Sequence, residues 1–300
     1  MLNLLERCLP FDHAVMEAVQ KLAEIGGGVM DKIMLALTFL GEETFVILLI
    51  IAVYWCWNKR LGEYLLFSLY TAMSLNGLLK DLIARPRPFL TERFSDLRYV
   101  RVEGALVDTA HLSSPWSFPS GHSQTARRIL GSPAYGRKAG AKLLCGLLVL
   151  LVMLSRVYLG VHYPTDTIVG ALLGLLCAWL CGALFRRFYH HKVLLMLAAV
   201  LLSGSVLLLN FTVDTVKTIA LGLGAVVGLW LEQRAVQFRP AKSVFARVLR
   251  LVIDFALLMG IRLGLKPLLP DLMWCHALRY ALMGFTGTFL WPWFFTRAGL

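Results

Sequence analysis

An all-α bundle of membrane-spanning helices is the fold class this sequence predicts, on three observations. Of its 300 residues, 58% are hydrophobic and 16% charged, too few charges to give a soluble domain a polar skin. Apolar stretches of near-bilayer length follow one another almost end to end. Between them the lysines and arginines fall in short clusters, the pattern of cytoplasmic connectors in polytopic proteins. Topology therefore accounts for most of the net charge of +12. No segment resembles an RNA- or DNA-binding module, so nucleic acid is not an expected partner.

Taken in order, residues 12–28 carry an amphipathic pattern with Val15, Ala18, Val19 and Leu22 on one side, stopped by Gly26-Gly27-Gly28. The piece is too short and too polar to span, and predicts a helix lying at the membrane interface. Spans are predicted at 32–57, 62–80, 120–136, 142–160, 166–185, 192–210, 214–231, 248–266 and 275–296. The start, Met1 to Phe11, lacks the basic region, apolar run and cleavage site of a secretory signal, so insertion is expected from the first span. Cysteines 8, 56, 145, 177, 181 and 275 lack metal-site or disulfide spacing and are expected to be packing residues.

Orientation follows from the basic connectors. Lys59-Arg60, Arg137-Lys138-Lys142, Arg186-Arg187-Lys192 and the stretch from Arg234 to Arg250 are each separated by two crossings, so all four fit the cytoplasm. The long polar segment 81–119, with Pro86, Pro88, Pro115 and Pro119, then shares the outer side with the turn at 161–165.

Those two regions carry three clusters able to do chemistry. Lys80 and Arg87 are seven apart, about two helical turns, although the prolines break a regular helix between them. Both Arg85 and Arg87 are candidates for a phosphate, with Arg87 preferred on spacing. In the second cluster, Pro119 ends an extended segment and Ser120 suits an N-cap. Gly121 lets an anion approach the free N–H groups of the helix start, and His122 falls in the first turn. In the third, Pro164 suits a helix start, with His162 just outside it and Asp166 in its first turn. A carboxylate at that spacing can fix the imidazole tautomer and leave the other ring nitrogen nucleophilic. Arg156, ending the preceding run, offers a planar fork suited to phosphate.

Together the three clusters resemble the signature of the type 2 phosphatidic acid phosphatase (PAP2) superfamily. They read Lys80…Arg87-Pro88, then Pro119-Ser120-Gly121-His122, then Ser155-Arg156…His162…Asp166. The resemblance implies a phosphatase core at 32–190, preceded by the interfacial segment 1–31 and followed by additional C-terminal spans at 191–300. It implies that His162 attacks phosphorus, oriented by Asp166, and that His122 serves as general acid and base. Lys80, Arg87, Ser120, Gly121 and Arg156 would hold the phosphoryl oxygens. No metal or cofactor is implied. The expected partners are a lipid phosphate or polyprenyl pyrophosphate and the bilayer itself, with the site facing away from the cytoplasm. A vanadium-dependent haloperoxidase is disfavoured because those enzymes are soluble. A transporter or scaffold keeping a relic of the site is the alternative, supported only by Arg127-Arg128 and the extra spans. An arginine within the bilayer costs about 2.5–3.5 kcal/mol on insertion scales. The wheel turns both arginines away from His122, so they must face a partner, a wet crevice or a helix end, and Pro133 is expected to bend their helix.

Overall fold

The computed structural model describes residues 2–94, 114–130, 139–207, 211 and 213–300. Among these the chain forms eleven α-helices and no strand. In order they are α1 (Leu2–Phe39), α2 (Glu43–Ala52), α3 (Lys59–Ile83), α4 (Gly121–Leu130), α5 (Ala139–Tyr158), α6 (Pro164–Arg187), α7 (Lys192–Leu207), α8 (Val213–Leu231), α9 (Val244–Met259), α10 (Met273–Phe285) and α11 (Trp291–Arg297). π-helical turns extend α2, α8 and α9 and join α10 to α11. Three of the described helical stretches are long and apolar enough to cross a membrane: Ala139–Tyr158, Pro164–Arg187 and Thr215–Val236.

Two predicted elements differ. Gly27, at φ 56° and ψ −159°, interrupts the helical geometry of α1 at the predicted stop, and the helix resumes directly beyond it. The buried stripe of α1 is Asp12, Met16, Val19 and Ala23, while Ala18 and Leu22 of the predicted face are exposed. Val15 and Val19 of the predicted face do reach the core, but a buried charge leads the stripe and hydrophobicity alone turns the face too far round. The predicted span 32–57 is likewise broken. Gly41 N–H donates to the Thr38 carbonyl at 2.9 Å and Glu42 N–H to Phe39 at 3.0 Å, closing α1 before α2 begins. Gly41-Glu42-Glu43 is a polar interruption that a long hydropathy window averages away.

The chain divides into two compact units, one of Met1–Val46 with Leu75–Gly182, the other of Ile47–Ser74 with Ala183–Leu300. In the first, the inner face of α1 packs on the end of α5 and the turn after it. Met16, Val19, Ala23 and Met34 are buried with Val157, Tyr158, Leu159, Val161 and Tyr163. Tyr158 adds a hydroxyl donated to Asp31 at 2.7 Å. Helix α4 lies directly on α6, because a Cβ on Gly170 or Gly174 would overlap the carbonyl oxygens of Ser120 and Gln124. Gly174→Val is expected to force the two helices apart and destabilise the fold by about 1–3 kcal/mol, read as a lowered Tm in detergent.

Within the second unit, α8 and α10 meet backbone to backbone through Gly224 and Gly284. Buried Arg250 donates to the carbonyls of Trp55 and Arg239 at 3.0 Å and lies over Phe295. Glu63 pairs with Lys192 and Glu232 with Lys59. Such internal pairing lets charged residues reside in a largely apolar bundle. All six cysteines are free, and Cys56, Cys177, Cys181 and Cys275 are buried in the packing.

Candidate active site

Every residue of the predicted site falls within the first unit. Beyond α3 the chain runs extended through Arg85-Pro86-Arg87, and the far end of the polar segment returns beside it. Ser117 N–H donates to the Arg85 carbonyl at 2.8 Å, and Pro86 faces Trp116 in an isolated antiparallel bridge. Proline, having no N–H, suits such an edge position. Two cross-links tie this clamp to the third cluster. Arg87 Nη1 donates to the Val161 carbonyl at 3.0 Å, and Ser120 N–H to the Asp166 carbonyl at 3.0 Å. The distant stretches 81–119 and 161–165 therefore meet.

His162 occupies the turn between α5 and α6 and is 2% exposed. Its Nδ1 stands 3.7 Å from Asp166 Oδ2 and has no hydrogen-bond partner. That separation is contact without a hydrogen bond. Asp166 is fixed from other directions. Its Oδ1 accepts from Arg85 Nη1 at 2.7 Å, and its Oδ2 accepts from Tyr163 N–H at 2.9 Å.

Around the imidazole the charge is positive. Burial, then Arg87, Arg156 and Lys80, push the His162 pKa well below the usual histidine value, opposed by the Ser117 carbonyl. The ring is held neutral, as a nucleophile requires. The sign of the linkage follows: below about pH 6.5 the unfolded chain binds a proton that the folded site refuses, so stability declines with falling pH. Tm in detergent is expected to fall between pH 7 and pH 5, and less steeply in His162→Gln.

Arg87 directs Nε and Nη2 to the Ser114 carbonyl and Nη1 to Val161, all at 3.0 Å. Of its five N–H donors, two are left for an anion. Arg156 Nη1 donates to Thr38 Oγ1 at 2.6 Å, while its Nε is buried without a partner. Lys80, ending α3, lies within electrostatic range of Arg87, Arg156 and Asp166. His122 is half-buried and within the same range of Arg156, His162, Lys80 and Arg87. Ser120 caps α4 as its sequence position predicts. Its Oγ accepts from Ser123 Oγ at 3.1 Å and from Ser123 N–H at 3.5 Å, which leaves its own proton to donate. Gly121 and His122 carry first-turn N–H groups that no intrahelical carbonyl can serve. Asn76 steadies this corner by donating to the Pro119 carbonyl at 3.3 Å.

Arg85 is committed elsewhere. Besides Asp166 it binds Asp12 at 2.7 Å and Thr165 at 2.8 Å, with its guanidinium 3.9 Å from the Tyr163 ring centre. Of the neighbours that sequence reasoning missed, four come from α1 and the turn after it. Asp12 holds Arg85, Thr38 holds Arg156, Gly41 abuts His122, and Glu42 lies within electrostatic range of Arg156. The one available signal was polar residues interrupting apolar surroundings. Arg128, whose setting the sequence left open, is wholly buried in the first unit beside Cys177 of α6. Arg127 is half-buried, and Pro133 lies outside the described residues.

Comparison with known proteins converges on one family. Residues 62–190 match the PAP2 superfamily, and residues 216–300 match the transmembrane extension of PAP2 superfamily phosphatases. The chain is 32% identical over 165 residues to phosphatidylglycerophosphatase B of Bacillus subtilis, covering 50% of this chain and 73% of that protein. It is 26% identical over 324 residues to mouse (Mus musculus) sphingosine-1-phosphate phosphatase 1, covering 88% and 71%. Among solved structures, a transmembrane PAP2-type phosphatidylglycerolphosphate phosphatase from Bacillus subtilis superposes with a TM-score of 0.47 at 28% identity, over 61% of this chain and 88% of that one. On the similarity to the Bacillus enzyme, joined to the matches over core and extension, the chain belongs to the PAP2 superfamily and is a membrane phosphatase.

Proposed function

We propose that the protein hydrolyses a lipid phosphate or polyprenyl pyrophosphate through a phosphohistidine on His162, without a metal ion. The observation that carries this reading is a buried, neutral imidazole with Asp166 on one side and Arg87, Arg156, Lys80 and His122 gathered around it. In the first step His162 Nε2 bonds to phosphorus, the bond to the leaving oxygen breaks, and His122, protonated once the anionic phosphoryl group is bound beside it, gives that oxygen its proton. In the second, His122 takes a proton from water, whose oxygen attacks phosphorus. The N–P bond breaks and inorganic phosphate leaves. Lys80, Arg87, Arg156, the Ser120 hydroxyl and the N–H groups of Gly121 and His122 stabilise the transferring oxygens. Three cationic side chains supply the charge stabilisation for which other phosphatases use a divalent ion.

Sidedness and substrate class belong to the same proposal. Helix α3 starts at Lys59-Arg60 and ends at the site, whereas α6 starts at the site and ends at Arg186-Arg187. Basic pairs at the far ends favour a cytoplasmic location for those ends and an outer location for the site. A lipid could then keep its tails in the bilayer while its headgroup reaches His162. The relatives named above act on lipid phosphates, which supports that class. Purified protein in mixed micelles with EDTA should release phosphate from phosphatidate, phosphatidylglycerol phosphate, a sphingoid phosphate or a polyprenyl pyrophosphate, and vanadate should inhibit. Activity that appears only on adding a divalent ion would overturn the metal-free mechanism.

A further inference from the structure

Asp12 is a carboxylate with no exposure, placed by the N-terminal helix against the catalytic turn and outside both matched regions. Its Oδ2 accepts from Arg85 Nη2 at 2.7 Å and from Thr165 Oγ1 at 2.7 Å, and its Oδ1 accepts from Thr165 N–H at 2.9 Å. Arg85 in turn reaches Asp166 at 2.7 Å. We infer that Asp12 is a positioning residue for the reaction: through Arg85 it fixes Asp166, and it preserves the negative charge that Asp166 presents to His162. The inference rests on the phosphohistidine reading.

Charge arithmetic gives the reason. Arg85 and Asp166 alone would sum to zero, and the guanidinium would cancel much of the carboxylate's field at the imidazole. Asp12 brings the three groups to a net charge of −1. Lys80, Arg87 and Arg156 act on His162 as cations, with His122 also near. Asp12, Arg85 and Asp166 therefore form the anionic side of the ring. As Nε2 bonds to phosphorus the imidazole becomes cationic, and a net negative partner stabilises that state more than the ground state. Asp12 also caps α6 from outside, since Thr165 N–H belongs to its unsatisfied first turn. A buried ion pair is by itself a weak stabiliser, so position and charge carry this argument.

The test is Asp12→Asn, which keeps the shape and removes the charge. Expected are a kcat lower by about tenfold to a hundredfold, KM unchanged within about twofold, and an acid limb of kcat/KM moved to lower pH, because losing a nearby negative charge weakens proton binding by His162. Asp12→Glu should restore the limb. Wild-type kcat with an unmoved limb overturns the inference. So does a lower Tm with unchanged kcat per folded molecule, the mark of a purely structural role. Should the asparagine variant fold poorly, Asp12→Ser is read by the same criteria. Rapid quenching of wild type in alkaline detergent, where a phosphoramidate survives, after mixing with radiolabelled substrate separates the two readings. A label missing from His162 refutes the phosphohistidine, whereas a label on His162 that forms slowly in Asp12→Asn supports the role of Asp12.

Discussion

Replacing His162 by alanine is expected to lower phosphate release by at least about 10⁴-fold while leaving the protein folded. The fold should survive because the turn around His162 is held by its main chain. Leu159 N–H donates to Ser155 at 3.0 Å, Gly160 to Val157 at 3.0 Å and Val161 to Arg156 at 3.3 Å. The imidazole Nδ1 makes no hydrogen bond that alanine would break. Circular dichroism and the size-exclusion profile in detergent should match wild type. Turnover equal to wild type in a correctly folded alanine variant would exclude His162 as the nucleophile.

Asp166→Asn should follow closely, with kcat down by about 10³–10⁴-fold and KM little changed. Two effects act together in this variant. An amide cannot balance the cationic imidazole of the phosphoenzyme, and it meets the Arg85 guanidinium as a poorer acceptor than the carboxylate now 2.7 Å away. Retention of Asp12 keeps Arg85 paired, so the loss should be one of rate before one of folding. Equal initial rates for Asp166→Asn and wild type would remove the aspartate from the mechanism.

Different parts of the site were unequally readable from the chain. Ser120 as a cap, with His122 in the turn beyond it, is local chemistry, and the hydrogen bonds to Ser123 follow from three residues of spacing. The pairing of His162 with Asp166 is likewise short-range. Their meeting with Arg87 was legible through topology, since counting crossings places both segments at one face. Asp12 was not legible, because its partners Arg85 and Thr165 lie 73 and 153 residues away. Nothing local separates it from an exposed acid on an amphipathic helix. Thr38 and Gly41 were lost for another reason: an apolar stretch read as one span concealed the break that delivers them to Arg156 and His122. Arg128 looked anomalous in an apolar span, and its complete burial within the first unit shows that it faces protein.

The bare faces of Gly170 and Gly174 set the reach between the two histidines. Helix α4 carries His122, α6 follows directly from His162, and the pair rest on one another through carbonyls instead of side chains. Carbonyls have no rotamers to change, so the contact between these two helices acts as a rigid gauge. Under the proposed mechanism, alcohols and tails of many shapes could present phosphorus to the same gauge. Choice among them would then fall to parts of the protein beyond α4 and α6.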